Sequence, residues 1–164
     1  MSTNKPHVIN KMAMSLDGRT AMESGESQWI TGPEARAQVH LLRAQSCAVI
    51  TGIGSVLRDD PSMNVRAEEL TLAGVPHTTV ERTKQPLRVV LDSQLRMPVT
   101  AKLLQQHGPV LVVTCVADPQ QHQSLVDAGA ELVVCAADNN GKVDLTAVLE
   151  MLGQRQCNQV LVEA

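Results

Sequence analysis

The chain has 164 residues, a mass of 17.7 kDa and a net charge of −3. Val, Leu and Ile supply 43 of the 164 residues, above the roughly one-fifth below which chains stay disordered, so one folded domain is expected. A pI near 5.9 and one aromatic residue, Trp29, exclude a basic nucleic-acid footprint and a stacking surface for single strands.

The first expected strand covers residues 7–14 and runs into a turn at Asp17-Gly18. Thr31-x-x-Glu34, with Pro33 in the first turn, is a capping-box signature. The helix it opens carries Ala35, Val39 and Leu42 on one face and should end near Gln45. A short buried strand follows at 47–51, then Gly52-x-Gly54 and a turn of helix through Leu57. Leu87–Leu91 and Val110–Thr114 read as strands. Asp118-Pro119 starts a helix that Gly129 stops, and 132–135 is the next strand. Asp144 caps a helix with Leu145, Val148, Leu149 and Leu152 in register, and Gln159–Glu163 is the last strand. Residues 15–28 and 66–86 are polar and long enough to read as irregular, functional loops.

Apolar strands alternating with helices predict an α/β fold with a mostly parallel sheet covered on both faces. Ligands in such sheets bind beyond the carboxyl ends of the strands. A strand with no βα turn after it leads us to expect part of a larger domain. No apolar run approaches the roughly 18 residues of a spanning helix, and the N-terminus lacks a signal region, so a cytoplasmic protein with no membrane partner is expected. Cys47, Cys115, Cys135 and Cys157 show no C-x-x-C spacing and read as buried thiols.

Several segments can carry chemistry. E-S-Q-W-I-T at 26–31 runs into the capped helix, whose free N–H groups suit an anion. Ser27 could add a hydroxyl there, and Trp29 could either stack on a base or fill the core. Arg43 and Arg66 could clamp a phosphate, although a single helical Arg is more often solvated. Asp59 and Asp60 are adjacent on a loop, where neighbours rarely point the same way, so an acid/base dyad is discounted. Gly52-x-Gly54 follows a strand as a dinucleotide fingerprint does but lacks the third glycine. Asp92-Ser93 ends a strand where a ribose or 2′-phosphate could sit. No H-x-E or P-C-x-x-C occurs, which excludes a zinc nucleobase deaminase, and no metal site is expected.

S-L-D-G-R-T-A, S-G-E-S-Q-W-I-T, L-L-R-A-Q-S, V-L-R-D-D-P-S-M-N-V-R and V-V-L-D-S occur in this order. The chain resembles the reductase half of the bacterial bifunctional deaminase–reductase of riboflavin biosynthesis. The resemblance runs from about Lys11 onward and is sharpest between Ser15 and Arg66. It implies a dihydrofolate-reductase-like three-layer fold whose C-terminal part is missing here. It also implies NADPH-dependent reduction of 5-amino-6-(5-phosphoribosylamino)uracil to the ribitylamino compound. By resemblance Ser27, Arg43, Met63, Arg66 and Glu163 contact the substrate, and Ala13, Trp29, Ser55, Asp59 and Ser93 line the NADPH site. The expected partners are the phosphorylated ribosylaminopyrimidine and, in the intact protein, a second copy forming a homodimer. Residues 1–164 are then one partial pyrimidine reductase domain, expected in isolation to bind NADPH weakly, to reduce substrate poorly and to aggregate or dimerise. No proton donor is assigned. The alternatives are a non-catalytic nucleotide-binding fragment and a different reductase on the same fold.

Overall fold

Six strands hydrogen-bond into one sheet in the order β1-β6-β2-β3-β4-β5, every pair parallel. They are β1 (His7–Lys11), β2 (Ala48–Gly52), β3 (Leu87–Leu91), β4 (Val110–Thr114), β5 (Ala130–Val134) and β6 (Gln159–Glu163). The helices between them are α1 (Pro33–Gln45), α2 (Ile53–Asp59), α3 (Ala67–Leu72), α4 (His77–Val80), α5 (Lys102–Gln105), α6 (Pro119–Asp127) and α7 (Leu145–Gln154). This computed structural model describes residues 5–21, 23 and 31–163.

Alternating side chains divide the strands between two apolar layers. Ile50, Val89, Leu111 and Val160 pack under Val148 and Leu152 of α7. On the opposite face Val90 and Val112 meet Ile53 and Val56 of α2, Leu103 of α5 and Leu125 of α6. Val49 and Leu161 complete that face with Met63, Ile9 and Leu42 of α1. Helices on both sides of a parallel sheet make three layers, as the strand–helix alternation implies. Asp118 and Asp144 cap α6 and α7 by accepting from Gln120 N (3.0 Å) and Thr146 N (2.8 Å).

Four expectations are corrected. Thr31 does not cap α1; the N-cap is Gly32, without a side-chain hydrogen bond. Pro33 at the first helical position holds Gly32 extended (ψ 174°) and shifts the cap one residue. The buried face of α1 is Ala37 and His40, while Ala35 is exposed. The stretch 66–86 is not irregular throughout, since it contains α3 and α4. Of the cysteines only Cys157 is buried, Cys115 and Cys135 are half-buried, and Cys47 is exposed.

One buried cation organises the far end of β3. Arg88 is fully buried and donates to the carbonyls of Leu103, Gln106 and Gly108. Leu103 O is one of the orphan carbonyls of α5, and the other two lie in the turn that follows it. Burial pushes the Arg88 pKa down.

Candidate active site at the carboxyl ends of the strands

β1 and β6 end on a pair of opposite charges. Lys11 and Glu163 are register partners at the last position of each strand, so their side chains leave the same face of the sheet. Arg43, from the last turn of α1, grips Glu163 with both prongs: Nε to Oε1 at 2.7 Å and Nη2 to Oε2 at 2.8 Å. Its third nitrogen, Nη1, donates to Asn64 O at 3.0 Å. Both side chains of the pair are only 14% exposed, so the bidentate geometry and the extra bond are what offset their desolvation.

The turn 60–66 forms the opposite wall and is tied down at both ends. Asp60 Oδ1 accepts from Lys102 N (2.8 Å), and Gln85 bonds both Val65 N (2.8 Å) and Val65 O (2.9 Å). His40 Nδ1 accepts from Arg66 N at 3.1 Å. These tethers hold two non-glycine residues in the left-handed region, Asp60 (φ 41°) and Met63 (φ 49°). Such strain persists only where the surroundings over-determine it, as they do around a binding site. Asp59 and Asp60 do point apart, Asp59 toward a cavity and Asp60 to α5.

Two cavities open between these walls. The larger, about 470 Å³, is lined by Lys11, Ala13, His40, Arg43, Met63, Arg66 and Glu163, with Arg36 and Glu69. The smaller, about 140 Å³, shares Lys11, Arg43, Met63 and Glu163 and adds Thr51, Ser55 and Asp59. His40 is 6% exposed. Burial, reinforced by Arg43 and Arg66 against Glu69 and Glu163, brings its pKa down to about 4. It is a neutral imidazole at pH 7.

A third cavity of about 380 Å³ lies beyond the carboxyl ends of β2 and β3. Ser93, Arg96 and Lys142 supply its polar lining with Asp138, and Ile53, Leu91 and Val143 its apolar lining. Ser93 Oγ accepts from Val143 N at 2.9 Å, which ties the wall together. A Cβ placed on Gly52 or Gly54 would meet no atom within 4 Å, so the backbone there borders open space. Hydroxyl, cations, apolar side chains and bare backbone are a donor set that fits a nucleotide cofactor.

The sequence-derived residues thus fall into adjoining groups. Ala13, Arg43, Met63, Arg66 and Glu163 share the larger cavity, Ser55 and Asp59 the smaller, and Ser93 lines the third. Ser27 and Trp29 lie outside the described residues. Lys11, His40, Arg96 and Lys142 were not anticipated. Lys11 becomes legible only once β1 is known to pair with β6.

Residues 6–164 match the RibD C-terminal domain. The chain belongs to this family. RibD of Escherichia coli is 39% identical over 164 residues, covering all of this chain and 43% of that protein. The 2,5-diamino-6-ribosylamino-4(3H)-pyrimidinone 5′-phosphate reductase of Archaeoglobus fulgidus is 35% identical over 159 residues, 97% of this chain and 70% of that protein. The solved structure of Acinetobacter baumannii RibD superposes with a TM-score of 0.80 at 42% identity, covering 100% of this chain and 41% of that one. The chain therefore spans about two-fifths of the length of these bacterial RibD relatives. The RibD C-terminal domain fold is dihydrofolate-reductase-like, and the six-stranded parallel sheet here is its core. Among the described residues no helix is long and apolar enough to cross a membrane.

Proposed function

We propose that residues 1–164 form a pyrimidine reductase domain. It reduces 5-amino-6-(5-phosphoribosylamino)uracil to 5-amino-6-(5-phosphoribitylamino)uracil with NADPH, a step of riboflavin biosynthesis. The observation that carries this reading is a single cavity where three arginines, Arg36, Arg43 and Arg66, face the Lys11–Glu163 strand ends. Arginines suit a phosphate, and the Lys–Glu pair suits a reacting centre that must both gain and lose protons.

The chemistry divides simply. In the substrate the C1′–O4′ bond of the ribose breaks, the ring oxygen takes a proton, and the nitrogen keeps its hydrogen as a C1′=N–H iminium, which becomes the neutral amine once C1′ receives a hydride. That hydride is the chemistry a nicotinamide cofactor would supply when bound. Among the described lining residues Lys11 carries the one ammonium, and an ammonium can give up a proton where a guanidinium does not. We assign it the proton delivered to the opening ring. Glu163, held still by Arg43, accepts hydrogen bonds from substrate N–H or O–H groups. Arg66 engages the 5′-phosphate far from C1′ and so converts remote binding energy into alignment. Ser55, Asp59 and Ala13 line the cofactor side near the pyrimidine, and Ser93, Arg96 and Lys142 hold its distal phosphate. We further propose that the intact protein is a cytoplasmic homodimer.

The name of the Archaeoglobus fulgidus relative supports a second substrate, the 2,5-diamino pyrimidinone before deamination. The test is turnover of the purified chain with each phosphoribosylaminopyrimidine, followed by cofactor oxidation. NADPH oxidation with the uracil and with neither dephosphorylated analogue is expected. Turnover of the diamino compound alone would reassign the substrate, and no turnover by a folded chain that binds both ligands would leave a non-catalytic binding domain.

A further inference from the structure

His40 sits on the same stripe of α1 as Arg36 and Arg43, at spacings of four and three residues. All three line the larger cavity, with Arg66 across from them. His40 is the uncharged member of this group, and its two ring nitrogens are in different situations. Nδ1 accepts the Arg66 backbone N–H at 3.1 Å. In a neutral imidazole the proton then resides on Nε2, which makes Nε2 a donor. Among the described residues that donor has no protein partner. His40 lines the larger cavity although the residue as a whole is 6% exposed.

We propose that His40 is a binding residue for the substrate's 5′-phosphate, donating from Nε2–H while its Nδ1 fixes the backbone of Arg66 beside the same anion. This rests on the reading of the cavity as a phosphate site. A donor without charge has a physical advantage there. Glu69 and Glu163 balance part of the arginine charge in this cavity, and a ring only 6% exposed would carry a desolvation cost if it were protonated. A neutral N–H adds a hydrogen bond to the anion without that cost. The buried ring also couples the two walls, because the group that meets the ligand from α1 is the group that sets where Arg66 begins.

The two nitrogens can be tested apart. In His40→Asn the side-chain oxygen can stand where Nδ1 stands, preserving the Arg66 tether but removing the Nε2 donor. In His40→Gln the amide nitrogen can reach the Nε2 position while the tether is lost. Binding of ribose 5-phosphate and of ribose to the 164-residue chain is measured by calorimetry. Wild type should prefer ribose 5-phosphate. H40N should keep its thermal midpoint and lose about tenfold in ribose 5-phosphate affinity, the loss of one hydrogen bond to a charged group. Histidine ¹⁵N spectra of the wild-type chain give a readout independent of any variant. The Nε2–H tautomer should be present, and its Nε2 signal should shift on adding ribose 5-phosphate but not ribose. Wild type failing to distinguish ribose 5-phosphate from ribose would overturn the phosphate reading itself. A wild type that does distinguish them, with an unshifted Nε2 signal or with wild-type affinity in a folded H40N, would overturn the role of His40 alone.

Discussion

Arg43 is committed to Glu163 and Asn64 through all three of its nitrogens, so changing it disturbs a carboxylate before it disturbs any ligand. Arg43→Ala leaves a largely buried charge without its partner and an orphaned carbonyl. A loss of about 2–4 kcal/mol is expected in urea denaturation. Arg43→Lys should recover only part of it, because one ammonium cannot reproduce the two-pronged contact. Equal stability of the wild type and Arg43→Ala would show that the pair contributes nothing net. His40 makes a pH prediction. Its folded pKa of about 4 lies below the ordinary 6.5, so the unfolded chain binds the extra proton between those values. Its contribution is complete above pH 6.5 and is lost as the pH falls toward 4, about 3 kcal/mol in all. Stability measured from pH 7 to 4 should decline over that window, and H40N should flatten the decline.

The elements that can be read from the sequence are those whose signals are local. Leu87–Leu91, Val110–Thr114 and Gln159–Glu163 are short apolar runs and coincide with β3, β4 and β6. Asp118 and Asp144 mark α6 and α7 because a cap acts within three residues. Strand β5 starts at Ala130, two residues before its most apolar stretch, because pairing with Val110 and Leu111 of β4 sets its start. The helices α3, α4 and α5, of six, four and four residues, are too short to show a period and are held by tertiary contacts. The same division holds in the site. Motif residues such as Met63 and Arg66 stand in one turn, whereas the partner of Arg43 lies 120 residues away. The turn after α5 offers a test. Gly108 has φ +115°, and a Cβ there would lie 2.7 Å from Gln85 Cβ and 3.3 Å from Arg88 Nη2. Gly108→Ala should cost about 2–4 kcal/mol, combining backbone strain with the displacement of Gln85 from Val65. Hydrogen exchange should quicken in the turn 60–66. A thermal midpoint equal to wild type would show that the turn yields at no cost.

At the scale of the molecule the sheet separates two tasks, with the arginine-lined cavity beside β1 and β6 and the Ser93 cavity beyond β2 and β3. Arg96→Ala with Lys142→Ala should lower the preference for NADPH over NADH by tenfold or more, about 1.5–3 kcal/mol for each lost contact to a charged group. The KM for the pyrimidine should stay unchanged, and an unaltered cofactor preference would move the distal phosphate elsewhere. The edge strand β1 and the segment after it expose Val8, Met12, Met14 and Leu16. Sedimentation should show concentration-dependent association that Val8→Lys reduces, whereas a monomer at all concentrations would make this surface inert. The position of β6 has a further consequence, in the order of manufacture. On the ribosome β1 is made before the other strands of this sheet, yet its hydrogen-bonded neighbour β6 and the carboxylate beside Lys11 arrive only with residues 159–163. Strand β6 must then enter between β1 and β2, a closure of long sequence separation that carries a high entropic cost and is correspondingly slow. A nascent chain can thus stack β2, β3, β4 and β5 while it is still tethered. The Lys11–Glu163 pair, and the cavity it lines, form only after β6 has entered the sheet.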